Sequence, residues 1–327
     1  MRASVIQAGS VAFDTPASLA RLAAFAATAA GEGAQFAVFP EAFIGGYPKG
    51  ADFGARVGSR SDEGRDWFLR YYDSAIALPG PELDAMCTVA REAALALAVG
   101  VIEKDLGTLY CTAVFIDRAG RFCGKHRKLM PTAMERLIWG FGDGSTMPVI
   151  DMGLGKTGAA ICWENYMPLY RTWLYGQGIA LYCAPTVDDR PQWQHTMRHI
   201  AYEGRCFVLS ACQYATRRDY PADYPAYPGS EPDTALIKGG SVIVSPFGEV
   251  LAGPLHEREG VLTADLDLGE IARGKFDLDV TGHYARPDVF SLRVDATAKP
   301  AVAVQHDGEP PSADVPPPPN GDICVNI

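Results

Sequence analysis

The run Ala159-Ala160-Ile161-Cys162-Trp163-Glu164-Asn165 carries the densest chemistry in the chain. Small and branched apolar residues lead into a cysteine, and an aromatic, an acid and an amide follow at once, then Met167-Pro168. The pattern reads as a buried strand that ends abruptly in a turn, with the thiol at its end, where a nucleophile meets substrate. A thiol becomes a thiolate at neutral pH only with help from a base or a cation. Two other runs supply both: Phe39-Pro40-Glu41-Ala42-Phe43 and Lys125-His126-Arg127-Lys128-Leu129-Met130-Pro131. Glu41 can take the thiol proton, and Lys128 can stabilise negative charge. Their effects on the thiol oppose each other. Lys128 lowers its pKa, whereas Glu41 and burial raise it.

These residues need elements to hold them. A first buried strand is expected at 4–7. Thr15 as a cap and Pro16 at the first helical position open a helix, with Leu19, Leu22 and Ala26 at helical spacing and Gly31 and Gly33 closing it. A strand at 35–39 stops at Pro40, which leaves Glu41 just past a strand's carboxyl end, a usual place for sites in α/β folds. A helix at 81–97 and a strand at 98–103 follow. Segments 108–116 and 121–128 are β-rich and joined by the turn Asp117-Arg118-Ala119-Gly120, with Lys128 at the end of the second. A strand at 156–161 runs into Cys162. Helices are expected at 166–178 and 192–204, each followed by a short apolar strand. A hairpin at 240–245 and 248–251 turns around Pro246-Phe247, and a late strand lies at 261–265. Alternation of this kind favours sheets covered by helices. The Tyr-, Pro- and Asp-rich stretch 217–233 reads as a long ordered surface loop, with a lid or an interface as the sharper alternatives. From about Lys299 the composition turns to Pro, Gly and acids, that of a disordered tail. The domain reading is therefore a catalytic domain over 1–295 and a proline-rich tail over 296–327.

Bulk properties remove several functions. The 327 residues suffice for a substantial core, and a net charge of −10 without any basic block argues against nucleic acid as a partner. The first residues reach Asp14 without a secretory-type apolar segment, and the longest apolar stretch, 93–102, is too short to cross a bilayer. Eight cysteines form no C-x-x-C pair, and several sit in apolar runs as small core residues of a reducing compartment. The expectation is a soluble cytoplasmic protein with no membrane partner.

The three chemical runs resemble the signature segments of the nitrilase, or carbon–nitrogen hydrolase, superfamily, which carries a Glu-Lys-Cys triad. The resemblance maps Glu41, Lys128 and Cys162 onto that triad. Glu135, in Glu135-Arg136-Leu137-Ile138-Trp139-Gly140, matches a second family glutamate that holds the lysine. Further runs resemble plant-type true nitrilases: Gly107-Thr108-Leu109-Tyr110-Cys111-Thr112, Gly142-Asp143-Gly144-Ser145-Thr146, Met167-Pro168-Leu169-Tyr170-Arg171 and Gly282-His283-Tyr284-Ala285-Arg286-Pro287-Asp288. The form Cys-Trp-Glu-Asn is characteristic of nitrile-using members, and the similarity covers residues 4–295. It implies an α/β fold, the four-layer α-β-β-α sandwich of that superfamily, whose protomers pair through helical faces and extend to homo-oligomers and spirals. It implies cofactor-free hydrolysis of a small-molecule nitrile, aryl-alkyl or aliphatic and including β-cyanoalanine, through a thioimidate and a thioester on Cys162, with amide as a second product. The backbone N–H of Trp163 would join Lys128 in stabilising charge on the substrate nitrogen.

Tyr47, Trp163 and Trp193, aromatics close to the catalytic runs, are expected pocket walls, with ordinary packing as the rival reading for Tyr47 and Trp193. Two other functions compete: an amidase or carbamoylase with the same triad, and a non-catalytic oligomeric scaffold, whose sequence sign would be a lost triad member. Three motifs are set aside. Gly153-Leu154-Gly155-Lys156-Thr157-Gly158 lacks the first phosphate-loop glycine and enters a strand. His195 and His199 have zinc spacing, but Thr196 stands where a metalloprotease needs glutamate. Asp188-Asp189 supports a loop, and no metal is expected.

Overall fold

The computed structural model describes residues 1–302, so the proline-rich segment 303–327 with Cys324 lies outside the described residues. In chain order the elements are β1 (Arg2–Gln7), α1 (Thr15–Gly31), β2 (Phe36–Val38), α2 (Asp62–Ser74), α3 (Pro81–Ala93), β3 (Ala96–Asp105), β4 (Thr108–Ile116) and β5 (Phe122–Arg127). There follow β6 (Ile150–Asp151), β7 (Lys156–Ala159), α4 (Pro168–Gly176), β8 (Leu181–Cys183), α5 (Pro191–Gly204), β9 (Phe207–Ser210), β10 (Tyr214–Thr216), β11 (Ala235–Val244), β12 (Val250–His256), β13 (Gly260–Asp265) and α6 (Gly269–Asp277).

The strands form two sheets. The first runs β13-β1-β2-β3-β4-β5, with β1, β2 and β3 parallel and the remaining pairs antiparallel. In the second, β7, β8 and β9 are parallel, β6 flanks β7, and β11 pairs antiparallel with β9, β10 and β12. Side chains alternate across each strand and so enter two different cores. From β3, Ala96, Ala98 and Ile102 join Phe36, Val38, Phe115, Leu181, Phe207 and Ile243 in the core between the sheets. Leu97, Val99 and Val101 face the other way, against Leu22 and Ala26 of α1 and Leu83, Met86 and Ala90 of α3. The outer face of the second sheet, with Tyr182, Val208 and Val242, packs on Leu174 of α4 and on Trp193, Met197 and Ile200 of α5. The result is the expected α-β-β-α sandwich, with continuous apolar runs where strands are covered on both faces.

Several boundaries differ from the sequence expectation. The α1 cap is Asp14, whose side chain accepts from Ala17 N–H, while the Thr15 hydroxyl donates to the Ser74 carbonyl. The helix expected to reach 97 stops at Ala93, because Ala94 turns left-handed (φ +48°) and the apolar run continues unbroken into β3. Helix α2 was hidden by an internal Gly64 and a mostly polar sequence, although Ser61 caps it by accepting from Gly64 N–H. Helix α6 is a further element that the sequence expectation lacks. Strand β11 begins at Ala235 rather than 240 and carries a register shift at Gly239–Ser241. The stretch 217–233 is tied down: Tyr220 and Tyr224 are buried and donate to the carbonyls of Tyr47 and Lys49 at 3.0 and 2.9 Å.

One glycine of β3 sets the position of the Glu41 segment. A Cβ on Gly100 would stand 2.1 Å from the Pro40 carbonyl oxygen and 2.7 Å from Glu41 Cα. Both are backbone atoms and cannot swing aside. Gly100→Ala is therefore expected to lose about 1–3 kcal/mol of stability in denaturant unfolding, and to lower turnover in the remaining folded enzyme by displacing Glu41.

Candidate active site

Each proposed triad member stands just beyond a strand end. Glu41 follows β2, whose extension is held by Phe39 N–H on the Ala98 carbonyl at 2.8 Å. Gln213, from the second sheet, donates to the Glu41 carbonyl at 2.7 Å. Lys128 follows β5, and its N–H bonds the Cys111 carbonyl at 2.8 Å. Cys162 follows β7 and opens a short 3₁₀ turn, Cys162–Tyr166. It has φ +51°, a conformation that costs an L-residue about 1–2 kcal/mol. Its N–H is fixed on the Pro185 carbonyl at 2.9 Å. The N–H of Trp163 is in the first turn of that helix, where amides lack intrahelical partners.

The four residues converge in the space between the sheets. Lys128 Nζ lies 2.6 Å from Glu41 Oε1 and 2.9 Å from Glu135 Oε2, with the lysine and Glu41 side chains wholly buried. Glu135, on a 3₁₀ turn after β5, also accepts from Thr132 N–H at 2.6 Å and from the Tyr47 hydroxyl at 2.9 Å. The other Glu41 oxygen, Oε2, is buried and has no fixed partner. The Cys162 thiol is near enough to the Glu41 carboxyl to favour its charged form. A carboxylate with one oxygen committed to an ammonium and the other free beside a thiol is arranged as a general base.

Electrostatics follow from burial and from two carboxylates around one ammonium. Burial lowers the Lys128 pKa, but Glu41, Cys162 and Glu135 overcome this and drive it well above the ordinary lysine value. Burial raises Glu41, and the Lys128 charge opposes it without cancelling it. Cys162 is raised well beyond the ordinary thiol range, by burial first and by Glu41 second, against the pull of Lys128 and of a hydrogen bond from Thr186. The opposition foreseen in the sequence thus resolves toward the protonated thiol in the free enzyme.

The aromatic expectations divide. Tyr47 is half-buried against Trp139 and tied to Glu135. Trp163 is 41% exposed beside Cys162, its indole N–H held by Asp188 at 2.9 Å and its ring covered by the Arg190 guanidinium. Trp193 is not brought to the thiol. It is fully buried in the core between the second sheet and α5, and its indole N–H donates to Ser210 Oγ at 2.9 Å. It packs edge-on to Tyr166, which packs on Trp163, so it supports a wall one ring behind. The set-aside motifs have structural roles. Residues 153–155 turn between β6 and β7, His195 and His199 are exposed on α5, and Asp189 accepts from Lys238 N–H at 2.9 Å.

Sequence reasoning missed four participants. Thr186 donates to Cys162 Sγ at 3.3 Å, and the Cys111 thiol donates to Glu41 Oε1 at 3.5 Å. Trp139 places its ring 5.5 Å from Lys128 Nζ, and Gln213 holds the Glu41 backbone. Cys111 and Trp139 lay inside recognised runs. Thr186 and Gln213 come near the site only through the pairing of the second sheet, which leaves no local signal.

The raised thiol leads to a test. Removing the Glu41 charge removes a cause that holds Cys162 protonated and leaves Lys128 to favour the thiolate. Glu41→Gln is therefore expected to speed alkylation of Cys162 at neutral pH by on the order of tenfold per unit of lowered pKa, while turnover disappears. Alkylation as slow as in the wild type would contradict this charge balance.

The comparisons accord with this geometry. The carbon–nitrogen hydrolase family profile matches residues 2–276. A bifunctional nitrilase/nitrile hydratase from Nicotiana tabacum is 58% identical over 299 residues, covering 90% of this chain and 86% of that protein. An aliphatic nitrilase from Sinorhizobium fredii is 57% identical over 304 residues, covering 93% and 98%. Among solved structures, an amidase from Nesterenkonia sp. shares the fold at 21% identity with a TM-score of 0.62, covering 85% of this chain and 95% of that one. The family match across most of the chain and the close identity of full-length relatives lead to one conclusion: the chain belongs to the carbon–nitrogen hydrolase family.

Proposed function

We propose that the protein is a nitrilase that converts organic nitriles to carboxylic acid and ammonia, with amide as a second product. The observation that carries this reading is the buried grouping of Glu41, Lys128, Glu135 and Cys162, in a chain 57–58% identical to proteins named nitrilases. Glu41 takes the proton from Cys162 as the sulfur attacks the nitrile carbon, and it delivers that proton to the substrate nitrogen, giving a thioimidate. Lys128 and the Trp163 N–H stabilise the charge that grows on the nitrogen. Water adds to the thioimidate with Glu41 as base. The tetrahedral adduct then expels ammonia to leave a thioester, which a second water hydrolyses to the acid and free thiol. Expulsion of the thiol instead releases the amide. Glu135 fixes the lysine and need not touch the substrate. Side chains alone supply nucleophile, base and cation, so the scheme uses no cofactor.

The substrate reading spans aliphatic and aryl-alkyl nitriles, β-cyanoalanine among them, with Trp163 and Tyr47 as walls at the mouth. Retention of all four polar residues weighs against an idle scaffold, and the Cys-Trp-Glu-Asn run weighs against an amidase. Assembly into homo-oligomers through the helical faces is supported by exposed Leu169 on α4 and Tyr202 on α5. Seven unpaired cysteines among the described residues suit the reducing cytoplasm, and no helix among them is long and apolar enough to cross a membrane.

Acid, amide and ammonia released from β-cyanoalanine and 3-phenylpropionitrile test the reading. Product from either, lost in Cys162→Ala, is expected. Glu135→Gln should lower kcat by on the order of a hundredfold. Product from neither nitrile, with ammonia from amides, would move the assignment to the amidase.

A further inference from the structure

A second buried polar cluster lies one residue away from both Lys128 and Cys162. Glu164 is wholly buried, and its two oxygens accept backbone N–H groups from two different chain segments. Oε1 accepts from Leu129, the neighbour of Lys128, at 2.6 Å, and Oε2 accepts from Ile161, the neighbour of Cys162, at 2.7 Å. His126, also wholly buried, brings Nε2 to 2.9 and 3.1 Å from the same two oxygens. Its Nδ1 lies 2.7 Å from the Thr146 carbonyl oxygen. A carbonyl only accepts, so Nδ1 carries a hydrogen. An ionised carboxylate only accepts, so Nε2 carries one too. Tyr170 of α4 stacks on the ring and directs its hydroxyl hydrogen to the Ala159 carbonyl at 2.6 Å, so it supplies neither nitrogen with a donor.

We propose that His126 and Glu164 form a buried imidazolium–carboxylate clamp that sets the separation of Lys128 from Cys162. Both are positioning residues, since the clamp reaches the catalytic pair through the backbone. This inference rests on the proposed roles of Lys128 and Cys162. A single carboxylate bridging two amides fixes the two segments at one spacing. The imidazolium neutralises its charge and locks its plane. Loss of the His126 proton, at Nδ1 before Nε2, would leave a ring lone pair against the Thr146 carbonyl and remove the positive charge that neutralises Glu164, and so loosen that grip.

Other titratable groups around the ring do not compete for its proton. Tyr170 and, from β8, Tyr182 are held well above the ordinary tyrosine range, chiefly by burial, and stay neutral. On the histidine's own strand, Lys125 and Arg127 pair with Glu103. Burial alone would lower the His126 pKa, but the Glu164 charge, its hydrogen bond and the Thr146 carbonyl outweigh it. The clamp is complete below the ordinary histidine range and is lost only as pH rises through the raised value.

Two readouts test it on the full chain. In protein carrying ¹⁵N-labelled histidine, both ring nitrogens of His126, assigned by their loss in His126→Gln, should be protonated at the ordinary histidine value of about 6.5, where a free imidazole is half-titrated. A ring with either nitrogen non-protonated there would overturn the proposal. In kinetics, His126→Gln should lower kcat by about 10- to 100-fold, with KM little changed, and should abolish the alkaline limb that His126 contributes. Wild-type kcat with an unchanged alkaline limb would overturn it equally, and a lower Tm alone would mark a merely structural role. Glu164→Gln, which must turn an amide NH₂ toward one of two N–H donors, should be worse than His126→Gln. The histidine spectrum needs no turnover, so a failure to hydrolyse nitriles would sink the nitrilase reading and leave this one standing.

Discussion

One ammonium between two carboxylates organises this protein. Lys128, buried between the sheets, contacts Glu41 on one side and Glu135 on the other. Ions in a dry interior are stable only when paired and hydrogen-bonded on every side. The surroundings meet that demand: Tyr47 and Thr132 N–H serve Glu135, the Cys111 thiol serves Glu41, and the Trp139 ring lies beside the ammonium. The same demand explains the exception. Glu41 Oε2 is left without a fixed partner, and it is the oxygen that a base must keep free.

The division of labour between the sheets follows from this arrangement. Glu41 and Lys128, the proposed base and cation, stand beyond strands of the first sheet, and Cys162, the proposed nucleophile, and its Thr186 partner beyond strands of the second. Cross-links such as Gln213 to the Glu41 carbonyl and Glu164 to Leu129 N–H hold the halves in register. The site is therefore a property of the packed inter-sheet core, and neither sheet contains it alone.

Much of this was legible in the sequence because strand ends announce themselves. Pro40 stops β2 immediately before Glu41, and the apolar run before Cys162 stops at an aromatic and an acid. Element types were readable wherever apolar periodicity was strong, as in β4, whose bounds match the expectation. Boundaries failed where apolar character crosses from one element into the next, as at Ala93–Ala96. Helix α2 failed because its polar sequence masks its period. Trp193 misled because nearness in sequence to a catalytic run says nothing about which face of a helix a ring occupies. His126 and Glu164 went unread for a related reason: 38 residues separate them, and only the packing of one sheet on the other brings β5 and the turn after β7 together.

The protonated state of the resting thiol has a consequence for the life of the enzyme. Peroxides and adventitious electrophiles attack thiolates, and a sulfur that stays protonated until substrate arrives offers them little. A nucleophile activated by its own reaction, rather than held permanently as an anion, exchanges readiness for durability. Burial beside Glu41, which makes Cys162 a reluctant acid, thereby leaves less thiolate for an oxidant to attack between turnovers.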